Sequence, residues 1–186
     1  RKFIDLSSTP KSDIDLEELT YYQLNYSKPR KYACIFVHYD KDSLISADCV
    51  HHIEKLSDYC DLFFVSSSEH LEKSPEEIEK IKPFCSQILI RKNSGYDFGC
   101  WSHVIRKNYS ELCKYEGVLL ANDSNWGPLN DFSDTFSKIN NLFGEVDFIG
   151  LTSSTTPSWH LQSFFIMYSQ KVFKSSYFKQ HWFNVG

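Results

Sequence analysis

Three short polar runs in this chain gather residue types that hold phosphate, metal or sugar hydroxyls. They are His38-Tyr39-Asp40, Arg91-Lys92-Asn93-Ser94-Gly95-Tyr96-Asp97, and Asn122-Asp123-Ser124-Asn125-Trp126-Gly127-Pro128. Asp123 is the most telling. It sits just past the apolar run Val118-Leu119-Leu120-Ala121, so its carboxylate should project from the end of a central strand. A Mg²⁺ ion needs only one or two protein carboxylates when a nucleotide's phosphates complete its shell. An Asx turn leading into Gly127-Pro128 explains the same residues as well.

In the second run, Gly95 can take a positive φ and Asp97 is suited to N-cap a following helix. Arg91 and Lys92, beside that helix start, form a place for a diphosphate, although Asn, Ser, Gly and Asp are also ordinary turn residues. Further along, Ser158-Trp159-His160-Leu161-Gln162-Ser163 precedes the aromatic run beginning at Phe164. His160 could ligate a metal or hold an acceptor hydroxyl, and the flat faces of Trp126 and Trp159 suit the C–H face of a pyranose. A lone strand-edge His is more often structural or solvated, and Trp is as often plain packing. His51-His52 reads as an ordinary solvated pair on a helix.

These loops need a scaffold that presents them together. Ala33 to His38, Leu62 to Val65, Gln87 to Ile90 and Gly117 to Ala121 are strand-like apolar runs. Between them, Ile45, Cys49, Ile53 and Leu56 recur at helical spacing. Ser74-Pro75-Glu76-Glu77 offers an N-cap, a first-turn proline and a capping-box acid for a helix ending near Pro83. A third helix is expected from Asp97 to Lys107 with Phe98, Trp101, Val104 and Ile105 inward. Phe132, Phe136, Ile139 and Phe143 mark another, before strands at 147–150 and 161–168. Strand and helix in alternation predict an α/β, Rossmann-like, mostly parallel sheet flanked by helices, with ligands bound beyond the strands' carboxyl ends. Residues 1–31 are polar and read as an extension or linker with one short helix around Leu16, Leu19, Tyr22 and Leu24, so the domain itself is expected to span 32–186.

Composition narrows the chemistry. A formal charge of −4 over 186 residues, with cations scattered among acids, provides no footprint for nucleic acid. No apolar run reaches the ~18 residues of a membrane span. The six cysteines form no C-x-x-C pair and fit reduced, buried thiols, which favours the cytoplasm. The chain contains no G-x-G-x-x-G, Walker A, G-x-S-x-G or H-E-x-x-H motif, so dehydrogenase, P-loop, hydrolase and zincin chemistries have no support.

The order of strand, Asn93-x-Gly95, helix, strand and Asp123 is similar to the GT-A glycosyltransferase plan. More closely, Asn93-Ser94-Gly95-Tyr96-Asp97, Asn122-Asp123-Ser124-x-x-Gly127-Pro128 and His160-Leu161-Gln162-Ser163-x-Phe165, with Phe36-Val37-His38-Tyr39 ahead of them, resemble the rhamnan synthesis protein F family over about residues 33 to 175. The resemblance implies transfer of a sugar, rhamnose or another hexose, from a donor such as dTDP-rhamnose or a UDP-hexose to a growing, lipid-linked cell-surface glycan. It would occur in the cytoplasm, at the inner membrane face through further segments or partners.

Carried over, Asn93, Gly95 and Asp97 would shape the donor site, with Arg91, Asn122 and Ser124 beside them. Asp123 would hold a divalent cation (Mg or Mn) or the ribose, and His38 and Tyr39 would lie near the base. His160 to Ser163, including Gln162, would border the reacting sugar. Ala121 stands where the first carboxylate of a D-x-D signature would be, and Ser124 replaces a third acidic residue. Without a metal, Arg91, Lys92 and the helix start at Asp97 would have to carry the diphosphate charge. Two other readings remain: a non-catalytic glycan-binding or scaffold domain of a polysaccharide-assembly protein, and a receiver-like module, which lacks the paired acids it would need after the first strand.

Overall fold

The computed structural model describes residues 18–24, 29–125 and 127–185. Its centre is a seven-stranded mixed sheet in the order β1-β4-β3-β2-β5-β9-β6. Strands β2 (Tyr32–His38), β3 (Cys60–Ser66), β4 (Cys85–Arg91) and β5 (Gly117–Asn122) run parallel. Three further strands pair antiparallel: β1 (Glu18–Gln23) on β4, β9 (Phe165–Ser169) on β5, and β6 (Phe148–Gly150) on β9. The parallel half matches the strand-helix alternation of the sequence, whereas the two flanks make the sheet mixed rather than mostly parallel.

The four parallel strands are buried along their whole length, because helices cover both faces. Alternate residues of β2 show this directly. Tyr32, Cys34 and Phe36 enter the layer under α1 (Ala47–Ser57), α2 (Pro75–Ile81) and α4 (Ser133–Leu142). Ala33, Ile35 and Val37 enter the layer under α3 (Tyr96–Leu112), α5 (Gln170–Phe173) and α6 (Ser176–Asn184). Phe36, Ile35 and Val37 each contribute about 1.5–3 kcal/mol on burial. Trp101 of α3 pins its helix to the sheet centre, its indole N–H shared between the carbonyls of Ile35 and Ala121 at 3.3 Å each.

Several expectations change. The helix expected around Leu16 to Leu24 is replaced, from Glu18 on, by β1, so the sheet begins before Tyr32. A bulge between Glu18 and Thr20 puts Leu19 on the same sheet face as Tyr22 and Leu24, and that three-residue spacing imitates a helix. Glu77 closes no capping box. It is buried and accepts the Ile45 N–H and the Lys80 ammonium at 2.6 Å each, fastening α2 to the loop after β2. Phe98 is half exposed rather than inward. The strand expected at 161–168 is broken: β8 (His160–Leu161) leaves the sheet to pair with β7 (Ser153–Ser154), and the chain turns before β9 begins.

Candidate donor cleft

The loops after β2, β4 and β5 meet at the carboxyl ends of the parallel strands. The β4 loop is shaped by Gly95, at φ +75°, which precedes α3 as its N-cap. Asp97 is therefore not the cap. It lies in the first turn, and its carboxylate accepts the Asn122 amide at 2.7 Å. That bond ties the two longest polar runs of the sequence together. Asn122 also makes the Asx turn in place of Asp123, its Oδ1 accepting the Ser124 N–H at 3.2 Å.

Arg91 is turned into the protein. It is 5% exposed, with Nη1 donating to the Ser94 carbonyl at 2.9 Å, and it supports the loop from beneath. Its Nε has no hydrogen-bond partner. Gly99 makes room for this arrangement, since a Cβ there would lie 2.1 Å from the Ser94 carbonyl oxygen and 3.2 Å from Arg91 Nη1. Asn93 is exposed, its N–H 3.4 Å from Glu69 Oε1.

Two cavities flank the β5 loop. The first, about 350 Å³, is lined by the loop after β2 (His38, Tyr39, Asp40, Leu44), the start of α1 (Ser46, Asp48, Cys49, His52) and Asp123, Ser124 and Asn125. The second, about 520 Å³, is lined by Asp97, Phe98, Asn122, Ser124, Asn125 and the run His160 to Phe164. Ser124 and Asn125 are common to both. Asp123 and Asp97 therefore face adjoining cavities rather than one pocket, joined through Asn122. Among the described residues, neither cavity has a lysine or arginine in its lining.

Asp123 is held in place by its backbone N–H on the Val37 carbonyl, and its Oδ2 accepts the Tyr39 N–H at 3.0 Å. Burial pushes its carboxyl up to about 6. The Tyr39 N–H opposes that shift, and the Asp97 and Asp40 carboxylates add to it. His38 lies beneath with Nε2 donating to the Leu44 carbonyl and Nδ1 accepting the Ser66 hydroxyl. Burial lowers its pKa to about 4, so its 3.9 Å approach to Asp123 is not an ion pair at neutral pH. His38 is thus part of the cavity floor, and Tyr39, half exposed, stands on its wall.

His52 corrects the solvated reading. It is buried edge-on to Phe36 and stacked on Phe132, its Nε2 is unpartnered, and burial lowers its pKa to about 4. Ser46, Asp48 and Cys49 also line the site without having been singled out. Their positions depend on the path of the loop after β2, which no local motif marks. Asp40 organises that loop by accepting the N–H groups of Asp42 and Leu44.

His160 lines the second cavity, with Nδ1 2.8 Å from the Ser158 carbonyl. A carbonyl only accepts, so Nδ1 carries the proton and neutral His160 keeps a basic Nε2. Gln162 is bound to Thr152 through its backbone N–H at 3.0 Å and its Oε1 at 2.6 Å, and Ser163 lies on the cavity wall beside it. Trp159 is 69% exposed and lines neither cavity. Trp126 lies outside the described residues.

Among the described residues no three His, Cys, Asp or Glu side chains gather to hold an ion unaided. A cation would depend on Asp123 together with oxygens of a ligand, the arrangement Mg²⁺ prefers. Five of the six cysteines are buried and none of the six is in a disulfide. No helix among the described residues is long and apolar enough to cross a membrane.

Fold and site together define an α/β protein with a polar, cation-poor cleft at the ends of its parallel strands. The family model for rhamnan synthesis protein F matches residues 62–186, and the chain belongs to that family. The match includes the runs at 93–97, 122–128 and 160–165, and it begins after His38 and Tyr39. An uncharacterized protein, y4gN, of Sinorhizobium fredii (strain NBRC 101917 / NGR234) is 28% identical over 105 residues, covering 55% of this chain and 27% of that protein. The chain thus matches about a quarter of that relative's length. No solved structure matches it.

Proposed function

We propose that this chain is the donor-binding part of a glycosyltransferase that moves a hexose, rhamnose being the family's own candidate, from a nucleoside diphosphate to a growing cell-surface polysaccharide. The observation that carries this reading is the Asp97–Asn122 bond at 2.7 Å, which joins two strand-end loops across a pair of adjoining cavities. Their cavity volumes of about 350 and 520 Å³ fall in the small-ligand range, roughly 300–1,000 Å³. Membership of a family named for rhamnan synthesis supports the sugar chemistry.

Cation-poor walls have a consequence for the donor. With Arg91 buried beneath the loop and no lysine or arginine among the described residues lining the cleft, a diphosphate is best accommodated with a divalent cation beside Asp123. Such a cation, Mg²⁺ or Mn²⁺, neutralises charge on the leaving phosphate when bound. In the reaction an acceptor hydroxyl attacks the anomeric carbon, the bond from that carbon to the phosphate oxygen breaks, and the hydroxyl proton passes to a base. His160 fits the base role, because its Ser158-fixed tautomer presents Nε2 as the proton acceptor. General-base assistance is worth roughly 10²–10⁴-fold.

A non-catalytic glycan-binding domain is the second reading, favoured by the lone strand-end carboxylate. The two are separated by incubating the protein with dTDP-rhamnose, UDP-glucose and GDP-mannose plus Mg²⁺ or Mn²⁺ and measuring release of nucleoside diphosphate. Release from one donor supports transferase chemistry. Saccharide binding with no release from any donor favours the scaffold.

A further inference from the structure

The second cavity has a composition distinct from the first. Asp40, Asp48 and Asp123 place three carboxylates around the first. The second has one, Asp97, whose Oδ2 accepts the Asn122 amide. The rest of its wall is amide (Asn122, Asn125, Gln162), hydroxyl (Ser124, Ser163), imidazole (His160) and apolar surface from Phe98, Leu161 and Phe164. Amides and hydroxyls that both donate and accept, set against apolar faces, match a neutral polyhydroxylated ring.

Phe98 gives the match its geometry. It is 47% exposed although it sits in the first turn of α3. Its ring lies nearly parallel to the Trp182 indole, at 5.9 Å and 11°, and edge-on to Trp101 at 5.2 Å and 80°. Both tryptophans are almost completely buried. The ring is therefore packed against two buried indoles, and Phe98 lines the cavity. An aromatic face fixed this way costs little side-chain entropy when a ligand stacks on it.

We infer that the cavity between the start of α3 and residues 160–164 is a neutral-pyranose subsite with Phe98 as its stacking platform. This deepens the glycosyltransferase reading and rests on it for the origin of the sugar, which is either the donor's own hexose or the end of the acceptor glycan. Phe98→Leu removes the flat face while keeping apolar packing on Trp182, and Phe98→Trp restores a face. Melting curves of both variants check that the fold survives.

The test titrates wild type and both variants with the methyl glycosides of rhamnose and glucose, and with each nucleotide sugar against its bare nucleoside diphosphate. If the wild type binds a methyl glycoside without nucleotide, about tenfold more weakly in Phe98→Leu and normally in Phe98→Trp, the subsite stands on the acceptor side. If the sugar-bearing donor binds more tightly than its diphosphate, and that gain vanishes only in Phe98→Leu, the subsite stands on the donor side. The inference is overturned if no saccharide affinity and no donor-over-diphosphate gain depends on residue 98. Glycoside binding that depends on Phe98 while no nucleotide binds at all would remove the transferase reading and leave the subsite intact.

Discussion

Asp123 is poised between fold and function. A carboxyl held near 6 instead of its usual ~4 costs the folded protein on the order of 2–3 kcal/mol when ionised. The sign follows from the raised value: the stabilising, protonated state is complete below the unfolded value near 4 and is lost as pH rises through about 6. Asp123→Asn, which keeps an oxygen for the Tyr39 N–H, is therefore expected to melt higher than wild type at pH 7.5. The difference should close as pH falls to 4, which thermal melts across that range would show; equal melting at every pH would deny the burial cost. His160 is the converse case, an exposed side chain in a two-residue strand. His160→Ala is expected to leave nucleotide affinity and melting temperature unchanged while lowering transfer turnover by at least about 10²-fold, and unchanged turnover would assign it to the surface. The places of Asp123 at a strand end and His160 beside a cavity were legible from the apolar runs next to them. For Arg91 the sequence shows a cation near a helix start but not that Gly99 lets its guanidinium fold under the loop.

The second scale is the loop from β4 into α3. Gly95 supplies the left-handed turn, Tyr96 follows at φ +51°, and Arg91 holds the Ser94 carbonyl while Gly99 leaves room. Gly99→Ala puts a methyl into that carbonyl and is expected to destabilise the protein by several kcal/mol, among the large single-residue effects. Arg91→Met is expected to lower both stability and nucleotide affinity by loosening the loop, whereas a direct phosphate ligand would lose affinity alone; denaturant melts beside nucleotide titrations separate the two. The four parallel strands and helices α1 to α4 could be read from hydrophobic period, because both faces of each buried strand are apolar. Neither β1 nor the broken run before β9 could be. A bulge gave β1 a helical spacing, and the departure of His160-Leu161 to pair with Ser153-Ser154 depends on contacts at Thr152 that no local pattern shows.

Across the whole molecule, three imidazoles are packed neutral into the two core layers: His38 and His52 on one side of the sheet's end and His103 on α3, each lowered to about 4 chiefly by burial. Folded values below the ordinary ~6.5 mean the unfolded chain takes protons first. Stability is expected to hold above pH 6.5 and to decline progressively between 6.5 and 4, against the smaller opposing gain from Asp123. Denaturant titrations at pH 7.5, 6, 5 and 4 check this, and a flat profile would contradict the buried-neutral assignment. The same sheet that buries these rings brings loops bonded across 25 to 84 residues of sequence to one end, the feature on which function rests. Binding of dTDP, UDP and GDP to wild type and Asp123→Asn, each with and without Mg²⁺ or Mn²⁺, tests that claim most directly. The account predicts that at least one nucleotide binds wild type at least tenfold more tightly with the cation and that Asp123→Asn loses the gain. No binding of any nucleotide, with or without metal, would contradict it.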